Sequence, residues 1–289
     1  MLSHDHYRNT KDLEFEFRYL DHLRKAGFPY QVPTPVPTIS GKFFQNLRGR
    51  YYWVYHYLDG QVIDNLDRSH LVKLASMMAT YHQRVEESHL ENLVHESDVF
   101  SRDYVLREMG IFRSEILRRR RVNRRDEIYI EESSRLIRLM NSLDDSPYRN
   151  LKRFHIHRDI IPENLIWKRG KLAGLIDFEN VSKTREPVVK DVAVTLQFVC
   201  RGKKSNRGLD LRRARMFLRS YLKKHPLSKK ELDLIPDLLV SGLIEDFVYA
   251  YWMLRNDPER ARLERLKLYS AAAQWTFENR DQLSREFLN

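Results

Sequence analysis

The amino-acid order predicts an α+β fold that is helical over most of its length. The opening residues carry an apolar face of helical period. Two short strand-like runs follow and give way to long helical stretches. The strand period then returns once, between Phe154 and Phe178. With 289 residues, 42% apolar and 31% charged, there is ample material for a hydrophobic core, and disordered or low-complexity classes are excluded. No stretch approaches the ~18 uninterrupted apolar residues of a membrane helix. The first residues lack the order of a signal peptide, and the single cysteine, Cys200, suits a reducing compartment. A cytoplasmic location is expected.

The first helix is expected over about 12–25, where Leu13, Phe17, Leu20 and Leu23 recur at three- and four-residue steps and Gly27 follows as a C-cap. Pro29, Pro33, Pro35 and Pro37 then force an extended connection. Strands are expected near 38–45 and 50–57, joined by a turn around 46–49. The second strand carries Tyr51, Tyr52, Trp53, Val54 and Tyr55 and ends at a hinge, Leu58-Asp59-Gly60. Helical pattern resumes up to Asn150: Leu71, Leu74, Ala75, Met78 and Tyr81 share a face, and 111–140 continues it after a break. A hairpin turn is expected at 168–171, and from Lys190 onward the pattern is helical again.

The net charge is +11, with arginines clustered at Arg118–Arg121, Arg124 and Arg125. Asp126, Glu127, Glu131 and Glu132 follow at helical distances and partly neutralise the run, as on a solvated helix face. No zinc-finger spacing or RNA-binding aromatic signature accompanies it, so nucleic acid is not the expected partner.

The chemistry lies in the hairpin region. It reads His157-Arg158-Asp159-Ile160-Ile161-Pro162-Glu163-Asn164, and then Asp177-Phe178-Glu179. An Asp on a tight turn can take or orient the proton of an attacking hydroxyl. An Asn and a second Asp can hold the Mg²⁺ ions that neutralise a triphosphate. Phosphoryl transfer is mostly positioning and charge compensation, so this small set suffices.

HRDIIPEN followed by LIDFE resembles the catalytic loop and metal-binding turn of the protein-kinase-like fold. The surrounding order is similar to its small-molecule branch: aminoglycoside phosphotransferases, the related homoserine kinases, choline kinases and spore-coat kinase-like proteins. EFRYLDHLRKAGFP resembles that branch's C-helix, YHYLDG its hinge, LASMMATYHQ its helix ending in His, and DVAVTL its helix start at Asp191. The resemblance runs from about Asp12 to Leu254 and implies these roles. Asp159 would be the catalytic base and His157 a brace for the loop, while Asn164 and Asp177 would bind Mg²⁺. Glu16 would be the ion-pairing glutamate near the nucleotide. Backbone groups around His56, Tyr57 and Leu58 would hold the adenine of ATP, and Asp191 would cap its helix near the loop.

A protein kinase proper is disfavoured: Ile161 stands where Ser/Thr kinases carry Lys, Glu179 replaces the Gly after Asp177-Phe178, and Asp177 and Asp191 are too close for an activation segment. Residues 1–57 are expected to be a partial N-lobe with the C-helix and hinge-side strands. Residues 58–289 are expected to be a helical C-lobe with the catalytic loop and metal-binding hairpin. The nucleotide-covering turn and strand lysine that the resemblance calls for are not found before Glu16, since Lys11 belongs to the same helix and Met1-Leu2-Ser3 reads as the tail of a strand. The expectation is a truncated N-lobe and a weak or inactive kinase as it stands. The rival class is a non-catalytic kinase-fold protein of the spore-coat kind, or a binder of polyanions.

For the phosphoryl acceptor, the resemblance points to the C-terminal helices. Glu245, Asp246, Tyr249 and Trp252 would suit a cationic amino alcohol, amino sugar or amino acid. The competing reading there is a core-facing aromatic stripe through Phe247, Tyr251 and Leu254. His155 with His157, and His4 with His6, lack further ligands at zinc spacing and are read as packing or surface residues. Cys200 is read as a buried small hydrophobe, and no G-x-S-x-G elbow supports hydrolase chemistry.

Overall fold

The computed structural model describes residues 10–87, 102–182, 185–202, 208–259 and 261–288. The helix α1 spans Thr10–Lys25, and Leu13, Phe17, Leu20 and Leu23 are each about 1% exposed, as the periodicity predicts. Each such burial contributes about 1.5–3 kcal/mol. Gly27, at φ 71°, ends the helix, with Phe28 N–H reaching back to Leu23 O at 3.1 Å.

The strands that follow are shorter than predicted. Only β1, Gln45–Leu47, and β2, Arg50–Tyr52, pair, around a two-residue turn in which Arg48 and Gly49 both have positive φ. Residues 38–44 are not a strand, because Thr38 N–H bonds Lys42 O and closes a local turn. The partner of residues 54–56 is the proline-rich segment itself: Val36 N–H bonds Val54 O and His56 N–H bonds Thr34 O. Prolines at 33, 35 and 37 alternate with these two residues, so their missing N–H groups cost the pairing nothing. Phe17 of α1 anchors this region through ring contacts with Phe43, Phe44, Trp53 and Tyr55.

The remaining elements are α2 (Arg68–Glu86), α3 (Arg102–Leu117), α4 (Arg124–Ser142), the single turn α5 (Ser146–Arg149), a 3₁₀ turn (Pro162–Asn164), β3 (Leu165–Lys168) and β4 (Lys171–Leu175). They are followed by α6 (Val188–Val199), α7 (Leu211–Leu222), α8 (Lys229–Asn256), α9 (Glu264–Glu278) and α10 (Arg280–Leu288). The expected α+β class is observed, with two small antiparallel sheets among helices. The hairpin turn at 168–171 is also as expected, with Arg169 and Gly170 both at positive φ.

The chain divides into two compact units. One comprises residues 1–97, 153–191 and 219–226; the other comprises 98–152, 192–218 and 227–289. In the first, both edges of the β3–β4 hairpin are occupied. Gln61 exchanges backbone hydrogen bonds with Trp167 on β3, and Gln31 bonds Ala173 and Leu175 on β4. Two glycines permit this. A Cβ on Gly60 would lie 2.7 Å from Trp167 O, and one on Gly174 would lie 2.8 Å from Gln31 O.

In the second unit, α8 buries Leu243, Phe247, Tyr251 and Leu254 against α4, where Tyr129 stacks on Tyr251 with ring centroids 3.9 Å apart. Buried Asp126 accepts from the Tyr251 hydroxyl at 2.8 Å and pairs with Arg119 at 2.6 Å and Arg125 at 3.4 Å. Part of the arginine run is therefore turned inward, while Arg118, Arg120 and Arg121 are exposed. Cys200 is buried, as read from the sequence, and burial pushes its thiol well above the usual range. Among the described residues no helix is long and apolar enough to cross a membrane.

Gly174→Ala should lower stability by about 1–3 kcal/mol, because backbone rather than a flexible side chain must give way. Urea unfolding measures it; an unchanged midpoint would contradict the close approach of Gln31.

Candidate active site

The loop to which the sequence motifs point begins where Phe154 and Glu186 exchange backbone hydrogen bonds at 2.9 and 2.8 Å. His155 and His157 are buried next, and each ring binds a carbonyl: His155 Nδ1 to Val181 O at 2.8 Å and His157 Nε2 to Ile176 O at 2.9 Å. His157 Nδ1 also accepts the Asp159 N–H at 3.2 Å, so its proton sits on Nε2. Burial depresses the ring's pKa and keeps it neutral. The ring thereby ties the 157–159 loop to the end of β4.

Arg158 stands in the left-handed region at φ 63°, a conformation that costs a non-glycine residue about 1 kcal/mol or more. Two charged groups hold it there. Its guanidinium donates to Glu186 at 2.5 Å with both side chains buried, and its N–H donates to Asp191 Oδ1 at 2.6 Å. Asp191, in the first turn of α6, also accepts the His157 N–H at 3.1 Å and His82 Nε2 at 3.2 Å.

Asp159 follows this anchored pair. Its carboxylate and its carbonyl both accept from the Asn164 amide, at 2.8 and 2.9 Å. Asn164 ends the 3₁₀ turn that Pro162 starts, and its carbonyl accepts the Ile176 N–H at 3.0 Å. Asp177, the next residue, is exposed and left-handed at φ 67°, while Phe178 is buried with its ring 4.7 Å from that of His157. Burial first, then the negative charges of Asp177, Glu179 and Glu163, push the Asp159 carboxyl from 3.8 up to about 7, with the Asn164 hydrogen bond opposing them. Three acceptor side chains from three turns are thus gathered around an excess of negative charge.

Other residues singled out from the sequence lie as follows. Glu16 is buried in α1, the helix that also holds Lys11, and accepts from the Tyr55 hydroxyl at 2.8 Å. At the hinge, the His56 N–H is taken by Thr34. Tyr57 is exposed, Leu58 packs on Gly174, and their backbone groups bond no other described backbone group. Glu245, Asp246, Tyr249 and Trp252 belong to the other compact unit. Tyr249 and Trp252 stack on each other, 5.9 Å apart and exposed, while Phe247, Tyr251 and Leu254 face the core. The helix thus supplies both an outer aromatic pair and the core stripe. Asp246 accepts from Gln197 at 2.6 Å, and Gln197 fits against Gly242.

Among the described residues no group of three or more His, Cys, Asp or Glu is arranged to hold a metal ion. His4 and His6 lie outside the described residues. Glu186, Gln197, Tyr221 and His225 belong to no motif in the sequence, and His82 stands out there only as a helix end. His82 is 109 residues from Asp191 and 139 from Tyr221, so no local signal connects them.

The model of a family described as "Phosphotransferase enzyme family" matches residues 1–225. The homoserine kinase of Sinorhizobium fredii is 26% identical over 234 residues, 81% of this chain and 66% of that protein, so the chain spans just under two thirds of that relative's length. The aminoglycoside phosphotransferase of Alicyclobacillus acidocaldarius superposes with a TM-score of 0.63 at 18% identity, covering 97% of this chain and 85% of that one. Spectinomycin phosphotransferase, solved with ADP and spectinomycin, gives 0.64 at 15%, covering 93% and 83%. At these identities the solved structures establish the fold, and it is the protein-kinase-like fold expected from the loop motifs. Together with a family match over most of its length, this shows that the chain belongs to the phosphotransferase enzyme family.

Proposed function

We propose that this protein transfers the γ-phosphate of ATP to the hydroxyl of a small amine-bearing molecule: an amino alcohol, amino sugar or amino acid. The observation that carries the reading is the Asn164 amide bound to both the carboxylate and the carbonyl of Asp159. That bond fixes a carboxylate at the end of an anchored loop, beside a second carboxylate on a left-handed turn. Asp159 would receive the proton of the acceptor hydroxyl, and a pKa near 7 suits a group that takes a proton and returns it. His157 would hold the loop in register, and the free backbone groups of Tyr57 and Leu58 would receive the adenine.

Mg²⁺ fits the residues present. The negative charge that Asp177, Glu179 and Glu163 bring to Asp159 is what a divalent cation relieves. Mg²⁺ keeps several waters and takes phosphate oxygens, so Asn164 and Asp177 are enough protein ligands. When bound, the ion neutralises the charge on the triphosphate.

The test is ATP consumption by the purified chain with a panel of hydroxyl-bearing amines, homoserine included. Asp159→Asn should lower kcat by about 10²–10⁴-fold while nucleotide binding persists. Turnover indifferent to Asp159, or neither binding nor turnover, would sink the proposal.

Between the unfolded value of 3.8 and the folded value of about 7, the metal-free folded protein holds a proton on Asp159 that the unfolded chain lacks. Asp159's contribution to stability therefore declines as pH rises through that window. Mg²⁺ should raise the melting temperature more at about pH 8 than at about pH 5.5, and Asp177→Ala should abolish the difference. Equal shifts at both pH values would argue against a cation beside Asp159.

A further inference from the structure

The hydrogen bonds of Asp191 do not stop at His82. His82 Nδ1 lies 2.6 Å from the Tyr221 hydroxyl, which lies 3.3 Å from His225 Nδ1. His225 Nε2 in turn lies 3.2 Å from the Glu86 carboxylate. His82 and Tyr221 are fully buried and His225 nearly so, while the Glu86 side chain is 36% exposed. All of these residues, with the catalytic-loop candidates, fall in one compact unit.

The proton positions along this run follow from which groups can donate. An ionised carboxylate only accepts, so His82 must donate to Asp191 from Nε2. Burial lowers the pKa of His82 against the opposing pull of Asp191 and Glu86, and His225 adds to the lowering. A neutral ring has one proton, so Nδ1 must accept, and the Tyr221 hydroxyl is the donor within reach. With its one proton committed, the Tyr221 oxygen accepts from His225, whose other nitrogen faces Glu86. The protons of Tyr221 and His82 are therefore both donated toward Asp191. The opposite tautomer of His82 would set a lone pair against the Asp191 carboxylate at 3.2 Å.

We infer that Tyr221 and His225 are positioning residues for phosphoryl transfer. They hold His82 in its Nε2-protonated form, and so keep the Asp191 oxygens aimed at the amides of His157 and Arg158, directly before Asp159. This inference rests on the catalytic reading of that loop proposed above. A hydroxyl some distance along the chain from the loop thus sets the angle at which the base is presented.

Tyr221→Phe keeps the ring and removes the donor. Imidazole ¹⁵N shifts read the His82 tautomer directly, amide exchange reads the hold on Arg158, and neither needs turnover. Wild-type His82 should be the neutral Nε2–H form between about pH 5.5 and 8.5. In Tyr221→Phe the Nδ1–H form should appear. The Arg158 amide should exchange about tenfold faster with α2 amides unchanged, and kcat should fall about tenfold at constant KM for ATP, the worth of one buried hydrogen bond. Wild-type His82 in the Nδ1–H form, or a variant with unchanged tautomer, exchange and kcat, overturns the inference. If Tyr221→Phe does not fold, Glu86→Gln at the exposed end should give the same changes at a few-fold, and no change there also overturns it. Expected NMR and exchange results with neither nucleotide binding nor ATP turnover by the wild type would refute the phosphotransferase reading while upholding the hold of Tyr221 on the loop.

Discussion

The Asp191 carboxylate is the interaction on which the rest of the site depends. Burying an ionised carboxylate costs several kcal/mol, and that cost is offset only where its lone pairs are all met by good donors. Here the donors are two consecutive backbone N–H groups, of His157 and Arg158, and one imidazole. Because backbone groups are among the donors, the carboxylate fixes the path of the chain. It holds Arg158 in a left-handed conformation that the residue would otherwise leave, and so decides where Asp159 emerges.

Against that anchor the site keeps locally unfavourable features. Asp177 is left-handed, and Asp159 is crowded by like charge. They persist because groups around them are over-determined: the His157 ring bonds both the loop and β4, Phe178 is buried, and the Asn164 carbonyl is tied to the Ile176 amide. The hairpin beneath is held at both edges by Gln31 and Gln61. Strain at the turns is thus confined between rigid supports, which suits a site that must present acceptors to a charged ligand without rearranging.

Much of this was legible in the residue order where the signal is local. The apolar steps from Leu13 to Leu23 predicted α1, and the Arg169-Gly170 turn marked the β3–β4 hairpin, because helix faces and two-residue turns are encoded within a few residues. The segment at 38–45 misled because strand formation is a property of partners. Residues 38–44 found none, while the proline-rich 34–36 segment, read as a mere connection, supplied the pairing for 54–56. At α8 the sequence offered a binding face and a core stripe as rivals, and a 3.6-residue period allows both on one helix. The acids of the loop were found from their order alone. The groups that hold them, Glu186, His82 and Tyr221, arrive from distant parts of the chain and leave no pattern that a linear reading could detect.

Gly60 and Gly174 carry a consequence for descent. Their hydrogens face backbone carbonyls, so the constraint on them is steric and independent of whether the site performs chemistry. In a lineage that lost the chemistry proposed for Asp159, Asn164 and Asp177, those three would be free to drift, while these glycines would still be required for the hinge and the loop 28–32 to lie against the hairpin. Glycine at both positions in a distant homologue would then be a record of shared architecture, and the three acceptors a separate record of shared chemistry. The two could be lost at different times.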